Sequence, residues 1–471
     1  MSLQYEGSES LKGLYSNQPA APVNTPRSVS GAGLLSRSDR GKDPDQVSNS
    51  PDQDLAKARI SEFLLGRESC ISLVGPAGSG KTSILKQILA DAKKRKWRVA
   101  LSAPTHQAAA RIREATDYHA ETTHRLLGVS LVRDDKTGDE YLKAKGSPDI
   151  EDGTLLVVDE SSMLQDKLKN IILDFVQRHD CKVIFVGDAA QLSPVKEKPS
   201  STVDKDTCEW EIVELTTIHR QAADNPIISL ATAIRTADRL DTSLFSTSSA
   251  GNTGVQYMAD KRLWADTLVQ QCGMEDFEHR YIAYTNAATD EAAKAIRINR
   301  YGNDAVAHPY LKGEMLVVNS RCVTNDDSGK SKRKKKRNDQ VVIPANESVV
   351  VKNVFRDGEL FKVECDWQGH HVLLDAMSSY KARGNYLDSL RRWAVQNHSW
   401  KKYFDTADSI ADLRSAVSLT AHSSQGSTFD NCFLNLSNMA ICRNPDELRR
   451  LLYVAVTRAS GMVYITGSLR T

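Results

Sequence analysis

From about residue 53 onward, short apolar runs alternate with amphipathic stretches. Runs at 71–74, 98–102, 154–158 and 182–186 have the length and branched character of buried strands, and helical periods such as 84–93 separate most of them. Alternation of that kind predicts parallel strands joined by crossover helices. A polar stretch over 128–152, with a turn at Asp134-Asp135-Lys136-Thr137-Gly138, predicts an inserted hairpin. A second alternating region starts near 223. It holds the strand Tyr281-Ile282-Ala283-Tyr284 and ends with strands near 432–436 and 462–466. Between them, roughly 305–380, β-like runs at 315–318, 348–354, 360–365 and 371–374 predict a small β-barrel inserted in the second unit. The expected fold class is α/β. Two parallel-sheet domains are expected over 51–222 and 223–471, with a hairpin insert at 128–152 and a barrel-and-helix insert at about 302–415. Residues 1–50 are rich in Ser, Gly, Pro, Asn and Asp and show no apolar period, so a disordered tail is expected.

Composition narrows the class. At 471 residues the chain can hold two or three domains with real cores. The formal net charge of +2 does not by itself suggest a polyanionic partner. Eight cysteines lie scattered with no C-x-x-C pair, which excludes a zinc framework or disulfide scaffold and fits reduced thiols in a cytoplasmic setting. No apolar run is long enough to span a bilayer, and the N-terminus lacks a secretory signal pattern, so no membrane association is expected. The run Lys330 to Arg337 reads either as a hydrated loop or as a non-specific phosphate contact.

The strand at 71–74 leads straight into Gly75-Pro76-Ala77-Gly78-Ser79-Gly80-Lys81-Thr82, and a helical pattern follows. This is the G-x-x-x-x-G-K-[ST] phosphate loop in its strand-then-helix setting. Its backbone N–H groups, together with that of Ser83, suit the phosphates of a nucleoside triphosphate. Lys81 adds a cation for the β/γ-phosphates and Thr82 a hydroxyl for Mg²⁺. About eighty residues on, Leu155-Leu156-Val157-Val158-Asp159-Glu160 is an apolar strand ending in two carboxylates. Asp159 there suits the same Mg²⁺, and Glu160 suits the orientation or deprotonation of an attacking water. The next strand ends in Val186-Gly187-Asp188-Ala189-Ala190-Gln191-Leu192-Ser193-Pro194. Gln191 at that edge is a candidate γ-phosphate sensor, while the Gly and Pro around it also suit a surface turn.

In order, these segments resemble motifs I, II and III of superfamily 1 helicases, and the other motifs follow suit. Ala103-Pro104-Thr105-His106-Gln107-Ala108-Ala109 resembles motif Ia, and Thr122-Thr123-His124 resembles Ib. Glu214-Leu215-Thr216-Thr217-Ile218-His219-Arg220-Gln221 resembles IV, and Ala283-Tyr284-Thr285-Asn286 resembles IVa. Leu419-Thr420-Ala421-His422-Ser423-Ser424-Gln425-Gly426-Ser427 resembles V, and Leu452-Tyr453-Val454-Ala455-Val456-Thr457-Arg458-Ala459 resembles VI. The resemblance covers about 53–471 and is to the RecD/Dda-like 5′→3′ branch, phage Dda-type helicases in particular. Ser423 stands where that branch carries a lysine.

The resemblance implies two RecA-like domains sandwiching ATP and Mg²⁺, with an SH3-like barrel as the second insert. It implies that Gln53 reads adenine, that Gln425 and Gly426 line the nucleotide, and that Arg220 and Arg458 are arginine fingers, a role suited to a planar, always charged guanidinium. Pro104, Thr105, His106, Thr123, His124, Thr285, Asn286, Thr420, His422 and Ser424 are its DNA-contacting positions. Small hydroxyls and helix starts suit phosphate oxygens without sequence preference. Tyr141 and Leu142 in the hairpin correspond to the pin that splits a duplex, with core packing as the alternative. The implied activity is an ATP-dependent DNA helicase moving 5′→3′ on single-stranded DNA and opening single-strand/duplex junctions. The alternatives are an RNA- or protein-displacing translocase, or a nucleotide-gated clamp without turnover. The tail reads as a solvated segment or as a docking arm for a single-strand-binding protein or replisome component.

Overall fold

The computed structural model describes residues 49–469 apart from 145, 147, 194–199, 219–223, 275–277 and 326–339. The expected tail, Arg220, Pro194 and the basic run 330–337 therefore lie outside the described residues, Asn49 and Ser50 excepted.

The first sheet has six parallel strands in the order Ala120–Thr122, Arg98–Ala103, Thr154–Val158, Lys182–Gly187, Cys70–Val74, Ile212–Glu214. Thr154–Val158 is buried at every position, which is why an unbroken apolar run rather than an alternating one encodes it. The helix Lys81–Lys94 turns Ile84, Leu85, Ile88, Leu89 and Ala92 onto one face of the sheet, with Ala56, Ile60, Phe63 and Leu64 of helix Pro51–Leu65 beside them. Helix Asp166–Arg178 covers the other face with Leu168, Ile172, Phe175 and Val176.

The second sheet repeats the plan, in the order Ser418–Thr420, His279–Ala283, Phe429–Asn435, Ala459–Thr466, Thr253–Tyr257, Ser248–Ala250. Only the pairing of the last two strands is antiparallel. In both sheets a Thr two residues past a strand end caps the next helix. Thr105 Oγ1 accepts from Ala108 N before His106–Thr116, and Thr285 Oγ1 accepts from Ala288 N before Asn286–Tyr301.

The strands Met315–Val318, Glu347–Asp357, Leu360–Trp367 and His370–Met377 form an antiparallel meander. Ile410–Ala411 and Leu413–Ser415 pair with its two opposite edges. One residue, Asp412, separates those edge strands, so the sheet curls nearly closed into the expected barrel. Asp412 is buried and takes bonds from Asn319 Nδ2 at 3.0 Å and Arg414 Nη2 at 3.0 Å.

The hairpin pairs Val129–Arg133 with Glu140–Ala144. Its turn is not free. Trp400 N donates to Asp135 O at 2.7 Å, and a Cβ on Gly138 (φ +79°) would lie 2.6 Å from the Trp400 ring. Arg133 pairs with Asp408 at 2.7 Å and stacks over Phe404 at 4.8 Å. Trp400, Tyr403 and Phe404 thus form an aromatic platform for the turn. All eight cysteines are unbonded to one another. Among the described residues no helix is long and apolar enough to cross a membrane.

Candidate functional site

The loop Gly75–Thr82 leaves the central strand Cys70–Val74 and enters helix Lys81–Lys94. Gly78 and Gly80 adopt φ of +82° and +78°, the left-handed region that glycine enters without cost. A Cβ on Gly75 would meet Ser79 Oγ at 2.6 Å, so the loop closes tightly there. Lys81 Nζ donates to Gly75 O at 2.6 Å and Pro76 O at 3.0 Å. Gln53 is buried, with Nε2 on Ser79 O at 3.0 Å and Oε1 accepting from Ser50 N at 3.2 Å. It braces the loop from behind, with both ends of its amide held by backbone.

Asp159 and Glu160 follow the buried strand Thr154–Val158. Asp159 N donates to Ser102 O and its Oδ1 accepts from Glu160 N at 2.9 Å. Burial pushes the Asp159 carboxyl above the ordinary carboxylate range, and the Glu160 charge pushes it further; Lys81 and Arg111 oppose both. Glu160 holds φ +50°, ψ +38°, a strained conformation for a residue with a Cβ.

Asp188 ends the neighbouring strand and is buried, which raises its carboxyl; Lys81 and the Tyr453 hydroxyl lower it. Its Oδ2 accepts from Tyr453 Oη at 2.7 Å, and that hydroxyl accepts from Ala77 N at 2.7 Å. Gln191 is buried too, and its Oε1 accepts from Gln425 Nε2 at 3.1 Å. Gly426 O accepts from Arg111 Nη1 at 3.1 Å, and Ser427 Oγ donates to Gln107 Oε1 at 2.7 Å. The far sheet thus meets the near one across the ends of the central strands.

Arg458 follows helix Pro445–Val456 and is 5% exposed. Its Nε, Nη1 and Nη2 donate to Val454 O at 3.1 Å, Ser427 O at 3.0 Å and Thr457 Oγ1 at 3.1 Å. Burial pulls its pKa down, and the Glu160 charge partly restores it. Arg458, Glu160, Asp159 and Lys81 therefore share one field. Arg111 acts on both Asp159 and Arg458 and was missed in the sequence reading. One Arg in the amphipathic segment 106–116 carries no signal that separates it from a solvated one. Its spacing of four from Gln107 puts both on one helix face, and that is the available clue. Among the described residues no group of three or more His, Cys, Asp or Glu is placed to hold a metal.

The expected DNA positions divide. Pro104, Thr105, His106 and His124 lie on the near sheet's edge, and Thr285, Asn286, Thr420 and His422 on the far one, all at least partly accessible. The Thr105, Thr285 and Thr420 hydroxyls cap helices. Burial pulls His106, His124 and His422 down, so they are neutral at neutral pH and offer ring contacts rather than charge. Two positions are corrected. Thr123 is buried with Oγ1 donating to Ser102 Oγ at 3.2 Å, and Ser424 is fully buried with Oγ on Ala421 O at 2.9 Å, so neither hydroxyl reaches the surface. In the hairpin, Tyr141 is exposed, whereas Leu142 packs with the apolar cluster around Leu156 and Phe175 and belongs to that packing.

Residues 52–250 match the family described as AAA domain, and residues 415–466 match the UvrD-like helicase C-terminal domain. The ATP-dependent DNA helicase dda of Enterobacteria phage T4 is 27% identical over 257 residues, which cover 53% of this chain and 56% of that one. The ATP-dependent RecD2 DNA helicase of Deinococcus radiodurans is 34% identical over 175 residues, covering 37% and 23%. The matched segments thus span between about a quarter and just over half the length of these relatives. A solved Pif1 helicase from Candida albicans covers 89% of this chain and 94% of its own at 16% identity and a TM-score of 0.43. The near half carries the phosphate loop and the acid pair, the far half carries the helix that leads from Tyr453 to Arg458, and over the matched segments the chain is similar to ATP-dependent DNA helicases of the dda and RecD2 kinds.

Proposed function

We propose that this chain is an ATP-dependent DNA helicase that moves 5′→3′ on single-stranded DNA and opens duplex at junctions. One observation carries the reading. The phosphate loop and the Asp188 carboxylate are hydrogen-bonded to Tyr453 of the far unit, and Arg458, just past the end of the same helix, shares a field with Glu160. A cleft built from two sheets in this way lets γ-phosphate chemistry and domain closure depend on each other.

In this reading Lys81 leaves the Gly75 and Pro76 carbonyls for the β/γ-phosphates, and loop N–H groups from Gly78 to Ser83 hold the rest of the triphosphate. Glu160 orients the attacking water and accepts its proton, Gln191 senses the γ-phosphate through its bond to Gln425, and Gly426 lines the same side. Arg458 exchanges its Ser427 carbonyl for charge developing on the phosphoryl oxygens, and Arg220 is the second finger. Mg²⁺, when bound, would supply charge neutralisation for the phosphates. The Thr82 hydroxyl and the Asp159 carboxylate, whose Oδ1 accepts from Glu160 N, are the residues that fit it, two ligands being usual beside phosphate oxygens. Single-stranded DNA runs over Thr105, His106 and His124 on one side and Thr285, Asn286, Thr420 and His422 on the other, with Tyr141 as the pin. The domain limits 51–222, 223–471, 128–152 and about 302–415 belong to the same reading, as do a cytoplasmic setting and a tail that docks a single-strand-binding protein.

The experiment is phosphate release with DNA, RNA or neither, followed by unwinding of matched 5′-tailed and 3′-tailed duplexes. DNA-stimulated release and preferential opening of the 5′-tailed substrate are expected. Stimulation by RNA alone moves the reading to an RNA motor, and no release at all to a clamp.

A further inference from the structure

Tyr453 is 2% exposed within helix Pro445–Val456, yet its hydroxyl bonds across to the other half of the cleft. It accepts from Ala77 N at 2.7 Å and donates to Asp188 Oδ2 at 2.7 Å. Asp188 is further fixed by Ala190 N at 2.9 Å. The phenol therefore ties the phosphate loop to the loop after strand Lys182–Gly187, and ties both to the far unit. A buried hydroxyl without partners is costly, and here each partner is itself buried or half-buried, so separating the sheets leaves three polar groups to be resolvated.

The same helix turn leads into Arg458. Thr457 N donates to Tyr453 O at 3.1 Å, and Arg458 Nε donates to Val454 O at 3.1 Å. Arg458 lies two residues past the helix end, in the turn that these two bonds close back onto Tyr453 and Val454. Wherever the Tyr453 hydroxyl is held, the Arg458 guanidinium is held at a set distance from the phosphate loop.

We propose that Tyr453 is a positioning residue whose hydroxyl registers the phosphate loop against the helix end and turn that carry Arg458, and so makes turnover depend on closure of the cleft. The inference rests on the proposed ATPase reading. It assigns Tyr453 no contact with the nucleotide; its effect passes through Arg458 and Ala77. Phe at this position would keep the packing among Leu451, Leu452 and Val454 and remove only the tie.

The test uses the full chain as wild type, Tyr453→Phe, Arg458→Ala and the double variant, each first checked by thermal melting. Tyr453→Phe is expected to lower DNA-stimulated kcat by about tenfold, the scale of one lost charge-assisted bond, with the ATP KM within about threefold and single-strand affinity within about twofold. The double variant is expected to be no slower than Arg458→Ala alone, because residues acting as a unit are non-additive. An equal loss in both backgrounds would mean that Tyr453 is only packing, and the proposal fails. Hydrogen exchange is run on the same preparations. The peptide containing Ala77 should exchange faster in Tyr453→Phe, with the strand Lys182–Gly187 unchanged; no change at Ala77 also overturns the proposal. A wild-type chain without ATPase sinks the functional reading, and exchange at Ala77 still decides the tie.

Discussion

Glu160 gives the sharpest test of how the acid pair is built. Its φ of +50° and ψ of +38° put a residue with a Cβ in the left-handed region, at a cost of roughly 1–2 kcal/mol. Two substitutions separate the backbone from the carboxylate. Glu160→Gln removes the charge and keeps the strain. Glu160→Gly removes both, and loses about 0.5–1 kcal/mol through the extra freedom of glycine in the unfolded chain. The charge change is common to the pair, so its effects on Asp159 and Arg458 cancel in the comparison. Glycine should then match or exceed glutamine in stability, by up to about 1.5 kcal/mol, whereas glycine at an unstrained position is destabilising by about 0.5–1 kcal/mol. Urea unfolding followed by circular dichroism reads the difference as a shift in midpoint at constant slope. Both variants should lose ATP turnover by roughly two orders of magnitude or more. A glycine variant clearly less stable than the glutamine one would refute the strain argument. Near-wild-type turnover in Glu160→Gln would remove the carboxylate from hydrolysis.

Other expectations follow from the same geometry. Arg458→Ala should cut DNA-stimulated kcat by about 10³-fold with little change in KM, and Arg458→Lys should not restore it, because three separate guanidinium nitrogens make its bonds; a change in KM alone would make Arg458 a ground-state binder. Tyr141→Ala should leave single-strand-stimulated ATPase within about twofold, as surface changes do, and impair duplex unwinding far more, whereas Leu142→Ala should cost about 1–2 kcal/mol of stability from lost burial; equal losses of ATPase and unwinding in Tyr141→Ala would end the pin reading. Gly138→Ala should loosen the hairpin turn from Trp400, seen as faster hydrogen exchange over 134–139 with the first sheet unchanged. Burial raises the Asp52 carboxyl, but bonds from Ser50, Thr217 and Thr216 outweigh it and bring it down to about 2. A depressed carboxyl stabilises above its unfolded value of 3.8 and loses that contribution as pH falls toward 2, so Asp52→Asn should flatten the acid limb of stability in that window; an unaltered limb would refute it.

Much of the fold was legible because its strands are buried on both faces. The runs at 71–74, 154–158 and 182–186 appear as Cys70–Val74, Thr154–Val158 and Lys182–Gly187, and the four barrel runs lie within observed strands. The edge strands were not legible. Ala120–Thr122, Ile212–Glu214 and Ser248–Ala250 are three residues each, too short for a period to register. Closure of the barrel was hidden for a different reason. Ile410–Ala411 and Leu413–Ser415 are separated by one residue, and only tertiary structure sends them to opposite edges of a sheet.

The site divides along the same line. Lys81, Thr82, Asp159 and Glu160 are local features, each a residue type at a fixed offset from a strand end, and a spacing rule reaches them. Thr123 and Ser424 sit at equally apt offsets, yet their hydroxyls turn inward, because position along a chain does not fix which way a small side chain points. Arg111 and Tyr453 escape the sequence for the complementary reason. Their partners, Gly426 for one and Ala77 with Asp188 for the other, are hundreds of residues away. Such contacts exist only when the two sheets meet, so what the sequence hides best is the part of the cleft that responds to closure. Lys81 and Arg458 show the consequence. Both cations are bonded to protein carbonyls, Gly75 and Pro76 for one and Val454 and Ser427 for the other. A triphosphate must outcompete those oxygens before either cation can act. A phosphate carries full charge where a carbonyl carries a dipole, so the exchange favours the nucleotide, and favours it most where the developing charge is greatest.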